Sequence, residues 1–323
     1  MGTTARKRLE LEKNTEIRKA NNKNTIKRAL RKDFQLYLML LLPLLFFIIF
    51  RYIPMGGLII AFRRFVPGGS MFGATWEGLH FFRLFWESPV FWNVFRNTIT
   101  ISVVNIIVGF PLPIIFALLL NEIRHSPLKR FVQTVSFLPR FFSMVVIVSL
   151  IHLIVSPSSG ILNLLIEFLG GEAIHFLIRA EYFIPIYVIS EQWQWMGWNA
   201  IIYIAAITAV DTQLYEAAAI DGASRWKQTW HVTLPSIMPT IMILGILTVG
   251  HILNVGFEKV LLLYSPAIYH RADVIQTFVY RMGIIGNQQS FATAIGLFNS
   301  VITIVLIFIA NYTAKRATGH SLW

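Results

Sequence analysis

The sequence of 323 residues contains no cysteine. That excludes disulfides, thiolate metal sites, zinc knuckles and cysteine nucleophiles. Charge is also scarce: 14% of the residues are charged, against about 25% in an ordinary soluble chain. Acids are the scarcer sign, with 16 Asp and Glu facing 28 Lys and Arg for a net charge of +12. The recognisable motifs of catalysis are missing too. The histidines never fall into H-E-x-x-H, there is no G-x-S-x-G elbow, and no G-x-x-x-x-G-K-[ST] loop exists to hold a nucleotide phosphate. The acids do not cluster as a general acid/base pair would. No metal site and no cofactor bound by this chain is therefore expected, and enzyme readings are left with nothing to act through. A cleavable leader is not expected either. The first 33 residues are highly charged and the first apolar run begins late, so that run reads as a retained anchor.

What the chain has in abundance is apolar surface, at 55% of residues. One water-soluble core could not hide that much. Lipid is the better solvent, and a helix crosses its core with about 20 apolar residues. Six segments come close: Leu36–Phe62 (interrupted by Arg51 and Pro54), Thr98–Leu120, Phe141–Val155, Phe183–Val210, Ile237–Phe257 and Phe291–Tyr312. The expected fold class is all-α, a polytopic membrane protein of about six transmembrane helices. Its layout is a basic cytoplasmic segment 1–33, a membrane domain 34–312 and a short cytoplasmic tail 313–323.

Lys and Arg collect on one side of that layout, in the N-terminal segment, Ile123–Arg140, Asp211–Pro235 and the C-terminal tail. Both termini are thus expected in the cytoplasm. The basic excess reads as a topology signal and a contact with membrane lipid, not as a nucleic-acid surface. The N-terminal segment is either an interfacial helix on anionic lipid or a solvated anchor. On the outside, Trp76, Phe81, Phe82, Phe85, Trp86, Phe91, Trp92 and Phe95 suit a short helix at the membrane boundary.

Polar groups inside the spans are costly and face a cavity or a partner. Span four carries Glu191, Gln192, Trp193, Gln194 and Trp195 in a row, the amides and aromatic faces that a sugar path would use. Packing between helices is the equal alternative. An acidic substrate would sit badly beside Glu191. Asn254 and Asn299 are further candidates for a path, although a lone amide in a span more often bonds a neighbouring helix.

The loop 211–235 reads as helix, break, helix. Leu214 to Ala219 is alanine-rich and favours helix. Asp221-Gly222 is a turn signal. Ala223 to Val232 can form a second helix that Leu234-Pro235 would end. Trp226 and Trp230 share a face and could anchor a partner. Glu216-Ala217-Ala218, Gly222, Val232, Leu234 and Pro235 keep the spacing of the loop with the Glu-Ala-Ala signature in permeases of binding-protein-dependent ABC importers. Asp221 and Ala223 match the Asp-Gly-Ala form found in sugar permeases. The stretch Phe50-Arg51-Tyr52-Ile53-Pro54-Met55-Gly56-Gly57-Leu58, with Trp76-Glu77-Gly78-Leu79, resembles the polysaccharide permeases, of which the alginate importer is one.

The resemblance implies the type I ABC importer permease fold and a chain that translocates an oligo- or polysaccharide across the cytoplasmic (inner) membrane of a bacterium. Glu216, Ala217, Ala218, Asp221, Gly222, Ala223, Trp226, Leu234 and Pro235 would form the contact to an ATPase. The implied partners are a second, unlike permease, a dimer of ATP-binding subunits that use ATP and Mg, and an extracytoplasmic solute-binding protein. A permease for a non-sugar solute and a membrane-bound glycan- or lipid-processing enzyme are the alternatives.

Overall fold

A computed structural model describes residues 32–70 and 72–318. The N-terminal basic segment, and with it the expectation of an interfacial helix, lies outside them apart from Lys32 and Asp33. Among the described residues the chain is helical without a strand, and Arg63 and Trp76 form an isolated antiparallel bridge.

Helix α1 spans Phe34–Ala61, and the residues up to Ile59 form a unit of their own. Its side chains from Phe34 to Phe47 are apolar on nearly every face and all exposed, the pattern of a membrane span and not of an amphipathic surface helix. Pro54 does not break it. The turn before the proline widens to a π turn, Ile48–Tyr52, closed by the Ile53 N–H on the Ile48 carbonyl. A wider turn accommodates a residue that lacks a donor and crowds the preceding carbonyl.

The second unit begins at Ile60. Its helices are α2 (His80–Trp86), α3 (Pro89–Gly109), α4 (Pro111–Glu122), α5 (Ser126–Phe137), α6 (Met144–Val155), α7 (Ile161–Phe168), α8 (Phe183–Thr208), α9 (Thr212–Ile220), α10 (Arg225–Gly250), α11 (Phe257–Leu263), α12 (Ile275–Tyr280) and α13 (Gln289–Thr318). Helix α2 is the short aromatic helix expected between the first two spans. Four helices of the described residues are long and apolar enough to cross a membrane: α1, Pro89–Glu122, α10 and Gln289–Arg316. The pair Ser126–Phe141 and Met144–Val155, bent by 103°, has the length and apolarity of a fifth when taken as one broken span. Helix α8 has the length, 26 residues, but Glu191, Gln192, Gln194 and Asn199 interrupt its apolar run. All six expected segments are helical, and α8 is the one whose composition speaks for a cavity more than for lipid.

Several boundaries differ from expectation. The second segment begins at Pro89 and not at Thr98, so Phe91, Trp92 and Phe95 belong to it and not to the short helix before it. The third segment starts beyond a sharp break at Phe142-Ser143, where both residues are extended and the Ser143 Oγ accepts from the Val146 N–H to cap α6. The fifth begins not at Ile237 but at Arg225, and it ends at Gly250 instead of Phe257. Leu234-Pro235 does not end a helix, because the device of α1 recurs: Thr229–Thr233 is a π turn closed by the Leu234 N–H on Thr229. Helix α13 also runs on past Tyr312.

Three apolar clusters hold the second unit. Ile101, Ile147, Ile151, Tyr187, Val188, Val260 and Leu263 join α3, α6, α8 and α11. Phe85, Phe91, Ile275, Phe278, Phe291 and Ile295 join α2, α3, α12 and α13. Ala117, Ala200, Tyr203, Ile207, Ile237 and Ile241 join α4, α8 and α10. Helix α8 belongs to two of the three. In lipid such clusters gain from tight packing more than from leaving water, so small residues matter most. Gly197 is the sharpest instance: a Cβ there would lie 2.2 Å from the backbone oxygen of Ser136, at the end of α5. Backbone cannot rotate away. Gly197→Ala is expected to drive α5 off α8 and abolish a monodisperse species on size exclusion in detergent, and a wild-type elution profile would refute the contact.

Candidate coupling segment and cavity

The segment 211–235 is a folded device. The Asp211 carboxylate accepts from the Gln213 N–H at 2.9 Å and caps α9. At the other end the Gly222 N–H donates to the Ala219 carbonyl and the Ala223 N–H to the Ala218 carbonyl, at 3.1 and 2.9 Å. Those paired bonds are the Schellman closure of a helix, which needs a left-handed residue after the cap. Gly222 supplies it with φ +74°. Arg225 binds Glu122 at the end of α4, at 3.1 Å, and the Tyr215 hydroxyl meets the Thr233 Oγ1 at 2.9 Å. The segment is thereby tied to α4 and to the π turn of α10. What it leaves outward is apolar: Ile220 is 87% exposed, Trp226 69% and Trp230 61%. Glu216, Ala217, Asp221, Gly222 and Pro235 are also exposed, while Ala218, Ala223 and Leu234 are half-buried. A fixed, exposed surface with large apolar anchors is one a protein partner can use.

The polar run of α8 opens on a cavity of about 320 Å³. Asn105 and Gly109 of α3, Glu191, Gln192, Trp195 and Asn199 of α8, and Thr248 and His251 near the end of α10 line it. A second hollow of about 190 Å³ shares Asn105, Glu191, Thr248 and His251 and adds Asn254. The helical period sorts the expected path residues. Positions 191, 192, 195 and 199 fall on one face. Trp193 is 48% exposed on another, and Gln194 is buried with no hydrogen bond to its Oε1. Asn299 lines neither hollow, and its Oδ1 is buried without a partner. Of the candidates, Glu191, Gln192, Trp195 and Asn254 are therefore brought together, whereas Trp193, Gln194 and Asn299 are not.

Several lining groups are held by hydrogen bonds. The Gln192 Nε2 donates to the Asn105 Oδ1 at 2.8 Å, and a Cβ on Gly109 would strike that same amide. The Gln276 Nε2 donates to the Asn254 Oδ1 at 3.0 Å. The Lys259 Nζ, on α11, donates to the Glu191 Oε2 at 2.8 Å. Lys259 is fully buried, its ammonium 5.0 Å from the Tyr187 ring centre, and the Tyr187 hydroxyl accepts from the Gly256 N–H at 3.1 Å. The pairing of Lys259 with a carboxylate 68 residues away leaves no local signal in the sequence. Among the described residues no group of His, Asp and Glu is arranged to hold a metal.

Residues 109–319 match the family model described as binding-protein-dependent transport system inner membrane component. The chain is 43% identical over 301 residues to the polygalacturonan/rhamnogalacturonan transport system permease protein YteP of Bacillus subtilis, an alignment covering 93% of each. It is 28% identical over 280 residues to the arabinooligosaccharides transport system permease protein AraP of Halalkalibacterium halodurans, covering 85% of each. In the crystal structure of a bacterial ABC transporter involved in the import of the acidic polysaccharide alginate, one chain superposes with a TM-score of 0.84 at 39% identity, covering 91% of this chain and 99% of that one. The helical architecture is accordingly that of a type I ABC importer permease. With family, fold and the exposed segment 211–235 in agreement, the chain belongs to the inner membrane components of binding-protein-dependent transport systems, the permease subunits of ABC importers, and is a transport subunit and not an enzyme.

Proposed function

We propose that this permease imports an acidic oligo- or polysaccharide, paired with a second, unlike permease that closes the other wall of the cavity. One observation carries the substrate class: the cavity joins amides and an indole to a carboxylate whose charge is already answered. Amides and aromatic faces suit sugar hydroxyls and ring faces. An unpaired Glu191 would repel a uronate, but Lys259 at 2.8 Å cancels that charge. The relatives named for polygalacturonan/rhamnogalacturonan and for alginate support the same class. A volume of 320 Å³, at the low end of the roughly 300–1,000 Å³ of ligand sites, fits a chain threaded a few units at a time.

In this reading both termini and the segment 211–235 face the cytoplasm of a bacterium. Two ATP-binding subunits use ATP and Mg there, and an extracytoplasmic binding protein delivers the glycan. The related alginate transporter crystallised with a periplasmic protein bound to an alginate pentasaccharide, which supports that partner. Ile220, Trp226 and Trp230 seat in the ATPase, with Glu216, Ala217 and Ala218 lying along the contact. Closure of the ATPase dimer moves α9, and the ties from Arg225 to Glu122 and from Tyr215 to Thr233 pass that movement to α4 and α10, which wall the cavity. This is a two-state element biased by a partner's ligand.

The test is ATP hydrolysis by the co-purified complex in the presence of binding protein loaded with oligogalacturonides, alginate oligosaccharides or neutral arabino-oligosaccharides. Stimulation by an acidic glycan is the expected result. Stimulation by the neutral glycan alone would overturn the acidic class, and a chain that recovers no ATPase subunit would overturn the coupling role.

A further inference from the structure

Arg140, the last residue of the basic stretch Ile123–Arg140, packs against α8. It lies in the turn Leu138–Phe141, between α5 and the bend into α6. That turn packs on α8 near its middle. The Arg140 guanidinium carbon sits 4.1 Å above the Trp195 ring and 5.8 Å from that of Trp198. Trp195 is the thirteenth of the 26 residues of α8, so Arg140 stands level with the middle of that helix.

A cation at that position is costly unless it has a partner or a task. Among the described residues Arg140 has no ion pair and no hydrogen bond, and its Nε is buried without one. The indole it stacks on lines the cavity, and the Trp195 Nε1 is likewise buried without a partner. The other charged group at the cavity, Glu191, is neutralised by Lys259. Arg140 itself lines neither hollow; its unanswered charge touches the cavity wall through Trp195.

We propose that Arg140 is a specificity-determining residue for this transporter: its charge, fixed by stacking on Trp195, makes the cavity favour carboxylated sugar units over neutral ones. This rests on the acidic-glycan reading and adds the group that selects for it. Across about 12 Å, at an effective dielectric near 20, such a charge changes the affinity for a carboxylate on the order of tenfold. Stacking, bidentate geometry and permanent charge are arginine's and not lysine's.

The test measures binding of a fluorescent short oligogalacturonide and of its carboxyl-reduced, neutral counterpart to the assembled transporter in nanodiscs, with the binding protein omitted so that only the permeases select. Wild type is expected to prefer the acidic probe, and Arg140→Gln to weaken that probe about tenfold while leaving the neutral one alone. An equal loss for both probes would make Arg140 a packing residue and overturn the inference; so would no change for either. A wild type that binds the neutral probe better would overturn the acidic reading itself, and the inference with it. If Arg140→Gln does not assemble, Arg140→Cys in this cysteine-free chain provides the same comparison. Its adduct with a cationic methanethiosulfonate should keep the preference, its adduct with a neutral one should lose it, and identical adducts would overturn the inference.

Discussion

Gly222→Val is expected to remove glycan-stimulated ATP hydrolysis and uptake while leaving the membrane helices folded. The reason is local. Gly222 has φ +74°, and no atom lies within 4 Å of where its Cβ would be. Space is therefore not the obstacle, and the whole cost is backbone: about 1–2 kcal/mol for an L-residue held left-handed, and more for a β-branched one. The cheapest relief is to unwind the closure of α9, giving up the bonds from Gly222 to Ala219 and from Ala223 to Ala218. That re-aims Ile220 and Trp226, the residues proposed to seat in the ATPase. Asparagine tolerates the left-handed region, so Gly222→Asn should stay near wild type in both assays. Co-purification of the ATPase subunit reads the contact directly and should fall on the order of tenfold for valine. Wild-type uptake by the valine variant would mean that the segment does not couple the two proteins.

The local fold of the segment 211–235 was legible because its constraints are local. An alanine run and a turn glycine lie within one stretch, and residue type alone expresses them. The span positions were legible for a similar reason, since each apolar run meets lipid by itself. What stayed hidden was set across the fold. Pro235 looks like a stop, and it is not one, because a π turn five residues long precedes it; nothing in Thr229–Thr233 announces the wider turn. The Lys259–Glu191 pair joins α11 to α8 across 68 residues, and neither neighbourhood announces the other. The stacking of Arg140 on Trp195 is likewise a tertiary event between residues 55 positions apart. In span four the helical period would have separated Glu191, Gln192 and Trp195 from Trp193 and Gln194, and that signal was available in the sequence.

Breaking the Glu191–Lys259 pair from one side should cost more than deleting it. Lys259 is fully buried, while the side chain of Glu191 keeps 20% of its surface at the cavity. The two single variants should therefore differ. Glu191→Gln strands an ammonium that has only the Tyr187 ring as company, 5.0 Å away. Lys259→Met strands a carboxylate that the cavity can hydrate. A buried charge left alone costs about 3–5 kcal/mol, whereas a whole pair replaced by neutral groups of similar volume is often close to neutral. Glu191→Gln is thus expected to show the largest fall in unfolding temperature of the detergent-purified protein, Lys259→Met a smaller one, and the double variant a recovery toward wild type despite carrying both changes. A double variant no more stable than Glu191→Gln would assign the effect to packing of the lysine stem instead of its charge. The order of the two singles carries separate information. If Lys259→Met were the worse, the carboxylate could not be reaching water, and the hollow beside Glu191 would have to be closed and dry, which no path for a hydrated sugar could be.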